Sequence, residues 1–167
     1  MSPHQFPVDT ADRRSGDGKR QAPAGSPANV DRPQANVETV QAIYAAFAKG
    51  DVPAILAKLR EDVDWEPGYA HNDDIPWLKS GRGRDHVASF FTELQGFSVN
   101  GFDVRAIVGD GEWVVALIAV DLVWNDTGRR IVEDGEVHVW RFDKTGMVKS
   151  MRHAVDTRQH AHALHPL

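Results

Sequence analysis

The sequence predicts an α+β domain, with a curved antiparallel sheet wrapped around three N-terminal helices and enclosing an apolar pocket. Three observations predict it. Apolar residues recur at helical spacing in three stretches ahead of Gln95. After Gly96 the period drops to two. Clusters of Gly, Asn, Asp and Thr then divide the second half into four strands. Helices grouped ahead of strands, and not alternating with them, favour an antiparallel sheet with its helices on one side.

Residues 1–34 read as a disordered tail, because Gly, Pro, Ser and mixed charge cannot offset the entropy of ordering them. The domain is expected over residues 35–158, followed by a short helix or tail over 159–167. Asn36 is the expected N-cap of the first helix, whose apolar stripe is Val37, Val40, Ile43, Tyr44 and Phe47. Gly50 ends it. Asp51 caps the second helix, with Pro53 in its first turn and Ile55, Leu56 and Leu59 on its apolar side. DVDWE then alternates like a strand until Pro67-Gly68 stops it. Residues 68–82 read mostly as loop, although Ile75, Trp77 and Leu78 are too apolar for an idle linker.

The third helix carries Val87, Phe90, Phe91 and Leu94. FSVNGFDVRAIV, EWVVALIAVDLVW, RIVEDGEVHVWRF and MVKSMRHAVDT follow as strands, joined by turns at residues 109–111, 125–128 and 143–146. The second of these is apolar almost throughout, so it is expected to be central and covered on both faces.

Composition excludes several functions. A net charge of -5 gives no electrostatic footprint for nucleic acid. No apolar run approaches the roughly 18 residues of a membrane helix, so no membrane partner is expected. No cysteine is present, which removes thiol nucleophiles and thiolate metal sites. There is no secretory pattern near the start, and the expectation is a cytoplasmic protein. Glycine-rich phosphate loops, GxSxG and HExxH are missing. HAHALH near the end lacks a carboxylate or a rigid frame, so no metal is assigned to it.

Several residues could carry chemistry. Glu66 stands where a strand meets a loop. It is either a solvated strand end or a partly desolvated base. Alternation puts Glu136, His138, Trp140 and Phe142 on one face. His138 is then either a satisfied core histidine or a donor to a developing oxyanion. His153 shares a face with Met151 and Val155, and joins His138 if neighbouring strands present those faces together. Asp156 is a supporting group or a helix cap. Asp121 pairs with an arginine or faces the cavity mouth, since an unpaired buried carboxylate is costly. Tyr44 brings a hydroxyl to an apolar helical face. The tryptophans could wall a flat apolar ligand or simply fill a core.

IYAAFAKGDVPAILAKLREDVDWEPG, SGRGRDHVASFF and VHVWRFDKTGMVKSMRHAVDT, in that order, resemble the ketosteroid isomerase and polyketide cyclase superfamily over residues 36–158. That resemblance implies the cone-shaped fold shared with nuclear transport factor 2. It implies a strand-end base at Glu66, as glutamate where the isomerases have aspartate. It places Tyr44 near the oxyanion-binding tyrosine and His138 where the isomerases have a second aspartate. Val155 stands where some of them have a pocket tryptophan. The closing stretch is more similar to the polyketide cyclase-like branch. Epoxide hydrolases of this fold use an Asp–Arg–Asp set, of which Asp121 would be a single piece.

The expectation is therefore an acid–base enzyme of isomerase, cyclase or dehydratase type, with no cofactor. Its substrate would be a small apolar carbonyl compound. Glu66 would move the proton, and His138, Tyr44 and His153 would stabilise the oxygen charge. Trp65, Trp77, Phe90, Trp140, Met151 and Val155 would form the substrate wall, with Asp121 and Asp156 in support. The rival expectation is a ligand-binding or assembly protein. A homodimer through the sheet is expected under either.

Overall fold

The computed structural model describes residues 32–68 and 74–166. The first helix, α1, runs Arg32–Phe47, so it begins four residues before the expected cap at Asn36. Asn36 lies inside it, buried, and its Nδ2 donates to the carbonyl of Gly111 at 3.0 Å. This polar side chain therefore ties the helix to a strand turn instead of starting the helix. The reading of residues 1–34 as a tail lies outside the described residues up to position 31; residues 32–34 are helical.

The second helix, α2, is only Val52–Leu56, and Asp51 caps it by accepting from the backbone N–H of Ala54 at 3.1 Å. Leu59 does not extend its apolar side. It opens strand β1, Leu59–Trp65, opposite Val148 of the last strand, because the chain has already left the helix at Ala57. Residues 69–73 of the loop are not described. Pro76–Leu78 form a 3-10 turn that buries Ile75, Trp77 and Leu78. Strand β2 is the short Gly81–Arg82, and α3 runs Arg84–Glu93.

Four long strands complete the sheet: β3 Phe97–Asp110, β4 Trp113–Trp124, β5 Arg129–Phe142 and β6 Val148–Ala154. The order is β2-β1-β6-β5-β4-β3. Among the described residues only β1 and β6 pair in parallel; the other pairings are antiparallel. Register shifts within β3–β4 and β4–β5 bend the sheet around the N-terminal helices, as bulges do. The result is the expected α+β fold, with a curved and largely antiparallel sheet.

β4 is not central. It lies one strand from the edge, and only one of its faces is covered. Val114, Ala116, Ile118 and Val120 are buried, whereas Trp113 and Leu117 on the alternate positions are exposed. Apolar character on both faces thus reflects a core on one side and an apolar outer surface on the other. β6 ends at Ala154, short of the expected strand end at Thr157. Asp156 instead caps a fourth helix, α4, Thr157–Ala163, by accepting from the backbone N–H of Arg158 and Gln159. His160 and Ala163 are buried, so α4 packs on the domain and is not a polar tail. Among the described residues no helix is long and apolar enough to cross a membrane.

Candidate functional site

The sheet and helices leave a cavity of about 310 Å³. Aromatic and aliphatic side chains form most of its wall. Trp65, Trp77, Phe90, Trp140, Met151 and Val155 are all on that wall. Its polar groups include Tyr44, Glu136, His138, His153 and His160.

Glu66 is not on the cavity wall, which corrects its expected position as a base facing substrate. The residue has φ 52°, an uncommon backbone conformation for anything but glycine. Its N–H donates to the carbonyl of Met151 at 2.9 Å, and its own carbonyl accepts from the Ser80 hydroxyl. The side chain is thereby turned inward and is 0% exposed. One carboxylate oxygen accepts the backbone N–H of His153 at 3.1 Å, and the other pairs with His153 Nδ1. At this point the cavity is faced by His153.

β5 and β6 bring the two histidines together as direct cross-strand partners, with ring centroids 4.4 Å apart. Glu136 lies two residues from His138 on the same face, and its Oε1 is 2.8 Å from His138 Nε2. The Tyr44 hydroxyl is 3.0 Å from His138 Nδ1, and Trp140 Nε1 donates to the Tyr44 oxygen at 3.2 Å. One arrangement satisfies every atom. Tyr44 donates to Nδ1, and His138 donates from Nε2 to the Glu136 carboxylate.

The electrostatics separate the two imidazoles. Burial lowers the pKa of His138, the charge of His153 lowers it further, and the Glu136 contacts only partly offset this, so it stays below its ordinary value. Burial also opposes charge on His153, but the charge and hydrogen bond of Glu66, then the charge of Glu136, outweigh it and raise the value. Burial works against ionised Glu136, yet the His138 hydrogen bond and the surrounding histidines hold it below the ordinary carboxylate value. Burial keeps Tyr44 a neutral phenol by raising its pKa, although the Trp140 hydrogen bond opposes this. The wall thus sets an imidazole whose protonated form is favoured beside one whose neutral form is favoured, next to a carboxylate.

At another part of the wall, His160 Nδ1 accepts from Trp77 Nε1 at 2.7 Å, and its Nε2 is 2.7 Å from Glu133 Oε1. Three histidine–carboxylate pairs therefore adjoin one cavity. The sequence reading assigned no role to Glu133 or Glu136 and placed His160 in a tail. The alternation of β5 already put Glu136 beside His138, and that was the available signal. Glu133 and His160 meet only through the docking of α4.

Asp121 is on the outer face, held by Arg130 at 2.6 and 2.5 Å, and Asp156 caps α4. Neither is on the cavity wall; the arginine pairing of Asp121 and the capping by Asp156 are alternatives the sequence left open for them. Glu136, His138 and His153 are the residues of this wall that could hold a metal ion.

Comparison with known proteins agrees with this architecture. The SnoaL-like domain model matches residues 40–151. A nuclear transport factor 2-like protein from Burkholderia xenovorans is 26% identical with a TM-score of 0.69, covering 80% of this chain and 98% of its own. A candidate polyketide cyclase from Xanthomonas campestris pv. campestris is 22% identical with a TM-score of 0.61, covering 80% and 99%. An LEH-like epoxide hydrolase from M. tuberculosis is 20% identical with a TM-score of 0.56, covering 79% and 90%. The last two likenesses are ones of fold. No protein of curated function matches the sequence.

Proposed function

The chain belongs to the SnoaL-like domain family, and from that premise we propose that its cavity carries out acid–base proton transfer on a small apolar molecule bearing a carbonyl. Isomerisation, intramolecular cyclisation and dehydration are the reactions this chemistry serves. The observation that carries the reading is the convergence of Glu136, His138, Tyr44 and His153 on the wall of one largely apolar cavity.

Glu136 is the group that takes the proton beside the carbonyl. His138 holds that carboxylate in place and keeps it ionised, while Tyr44 fixes the tautomer of His138. His153, charged against Glu66, donates to the oxygen on which charge develops. The aromatic wall excludes water and so strengthens each of these contacts. Glu66 acts through His153, as a positioning residue, and not on substrate.

The test is exchange of α-protons for deuterium in a panel of apolar ketones, followed by NMR. The protein should accelerate exchange for at least one of them. Glu136→Gln should reduce that exchange by about 10²–10⁴-fold, the usual range for a general base. Exchange that is unchanged in Glu136→Gln would remove this mechanism.

The outer face of the sheet favours a second feature. Trp113 and Leu117 are exposed there, and Val108 and Val132 stand on the neighbouring strands. Exposed apolar side chains on these three adjacent strands support the proposed homodimer.

A further inference from the structure

We propose that Glu136, His138 and His153 form a binding site for a divalent first-row transition metal ion, with its remaining coordination positions open to the cavity. The topology sets the three side chains side by side. Glu136 and His138 are two residues apart on the inner face of β5, and His138 pairs directly with His153 on β6. Their ligand atoms all lie within 4.8 Å of one another, and all three residues are buried. In a tetrahedral site with bonds of about 2.0–2.1 Å, ligand atoms stand about 3.3 Å apart. Side-chain rotations that draw in the widest pair and part the 2.8 Å contact of Glu136 with His138 would close the site.

The donor set selects the ion. Two imidazoles and a carboxylate suit zinc, cobalt or ferrous iron, whereas calcium and magnesium favour oxygen ligands throughout. The outer contacts have the form that metal-bound histidines require. Each imidazole is gripped at Nδ1, by the Glu66 carboxylate in His153 and by the Tyr44 hydroxyl in His138. The Tyr44 oxygen can accept as well as donate, so it can also hold His138 in the tautomer that offers Nε2 to an ion. The cavity beyond supplies room for water or a ligand oxygen in the open positions.

This inference goes beyond the proton-transfer reading and does not depend on it. An ion here would occupy the lone pairs of both imidazoles and polarise a bound oxygen directly. The metal-free and metal-bound cavities would then perform different chemistry at the same wall.

Untagged full-length protein, stripped with a chelator, would be titrated with Zn²⁺ by calorimetry and with Co²⁺ by visible absorption. One equivalent should bind at micromolar protein, and Co²⁺ should show the intense d–d bands of a low-coordinate site. Glu136→Gln should abolish stoichiometric binding, and Glu66→Gln should weaken it by about 10–100-fold, the usual effect of losing a histidine's outer partner. Thermal melting of each metal-free variant reports whether it folds, and His138→Gln replaces Glu136→Gln if that variant does not. The double variant His162→Ala/His165→Ala should bind like the parent. Absence of stoichiometric binding, or binding lost in that double variant and kept in the Glu136 variant, overturns the proposal. Protein that binds no metal yet exchanges ketone protons removes this inference and leaves the proton-transfer reading standing.

Discussion

Glu66 grips His153 twice, once at the backbone N–H and once at ring Nδ1, so one carboxylate sets both the position of the strand and the charge of the imidazole. The carboxylate itself is fully buried. Its partner lies 87 residues away in the chain.

The first consequence is a titration. With Glu66 present, His153 should titrate above its ordinary value of 6.5 and His138 below the same value. Glu66→Gln removes the main interactions that raise His153 and leaves the burial that lowers it. His153 should then titrate below 6.5 in NMR spectra of labelled histidine. A His153 signal that stays above 6.5 in the variant would show that Glu66 is not the source of the shift.

Stability against pH follows with opposite signs for the two histidines. His153 binds its proton more tightly folded than unfolded. Its contribution is therefore present below pH 6.5 and is lost as pH rises through the raised folded value. His138 binds its proton less tightly when folded, so its contribution is present above pH 6.5 and is lost as pH falls towards the lowered value. Melting curves across this range should lose their alkaline slope in His153→Gln and their acid slope in His138→Gln. The same slopes in both variants would mean that other groups dominate.

Tyr44→Phe tests the relay. It removes the hydroxyl between Trp140 Nε1 and His138 Nδ1 and leaves both buried atoms without that partner. The expected cost is about 1–3 kcal/mol in denaturant unfolding. Ketone exchange should fall as well, because the tautomer of His138 is no longer fixed. A variant as stable and as active as the parent would assign Tyr44 to packing alone.

Leu117→Glu tests the outer face. Leu117 is 38% exposed, so a charge there should cost the monomer little. It should dissociate a dimer built on that face, read as a halved mass by light scattering. A parent protein that is already monomeric would dispose of the homodimer.

The elements were legible in the sequence because each has its own period. The turns at Asn125–Gly128 and Asp143–Gly146 fall where Gly and Asp placed them. What periodicity cannot report is which neighbour an element meets. β4 reads as central because its two apolar faces look alike, although only one is covered. Asn36 reads as a cap because its job, a hydrogen bond to Gly111, crosses 75 residues. In the site, His138 and the aromatic wall are legible, whereas Glu66 reads as a solvated strand end or a base and is instead buried against His153. Its positive φ turns the side chain towards β6, and no pattern along the chain encodes that. His160 looked like part of a polar tail because its partners, Trp77 and Glu133, come from distant segments.

α4 gives the last consequence, a practical one. Its His160 is part of the cavity wall and is bonded to Trp77, and Arg129 holds the carbonyls of His165 and Pro166. A load applied to α4 is therefore transmitted to the cavity wall through the contact of His160 with Trp77. Fluorophores or surface tethers attached to α4 would act on that wall as well as on the helix.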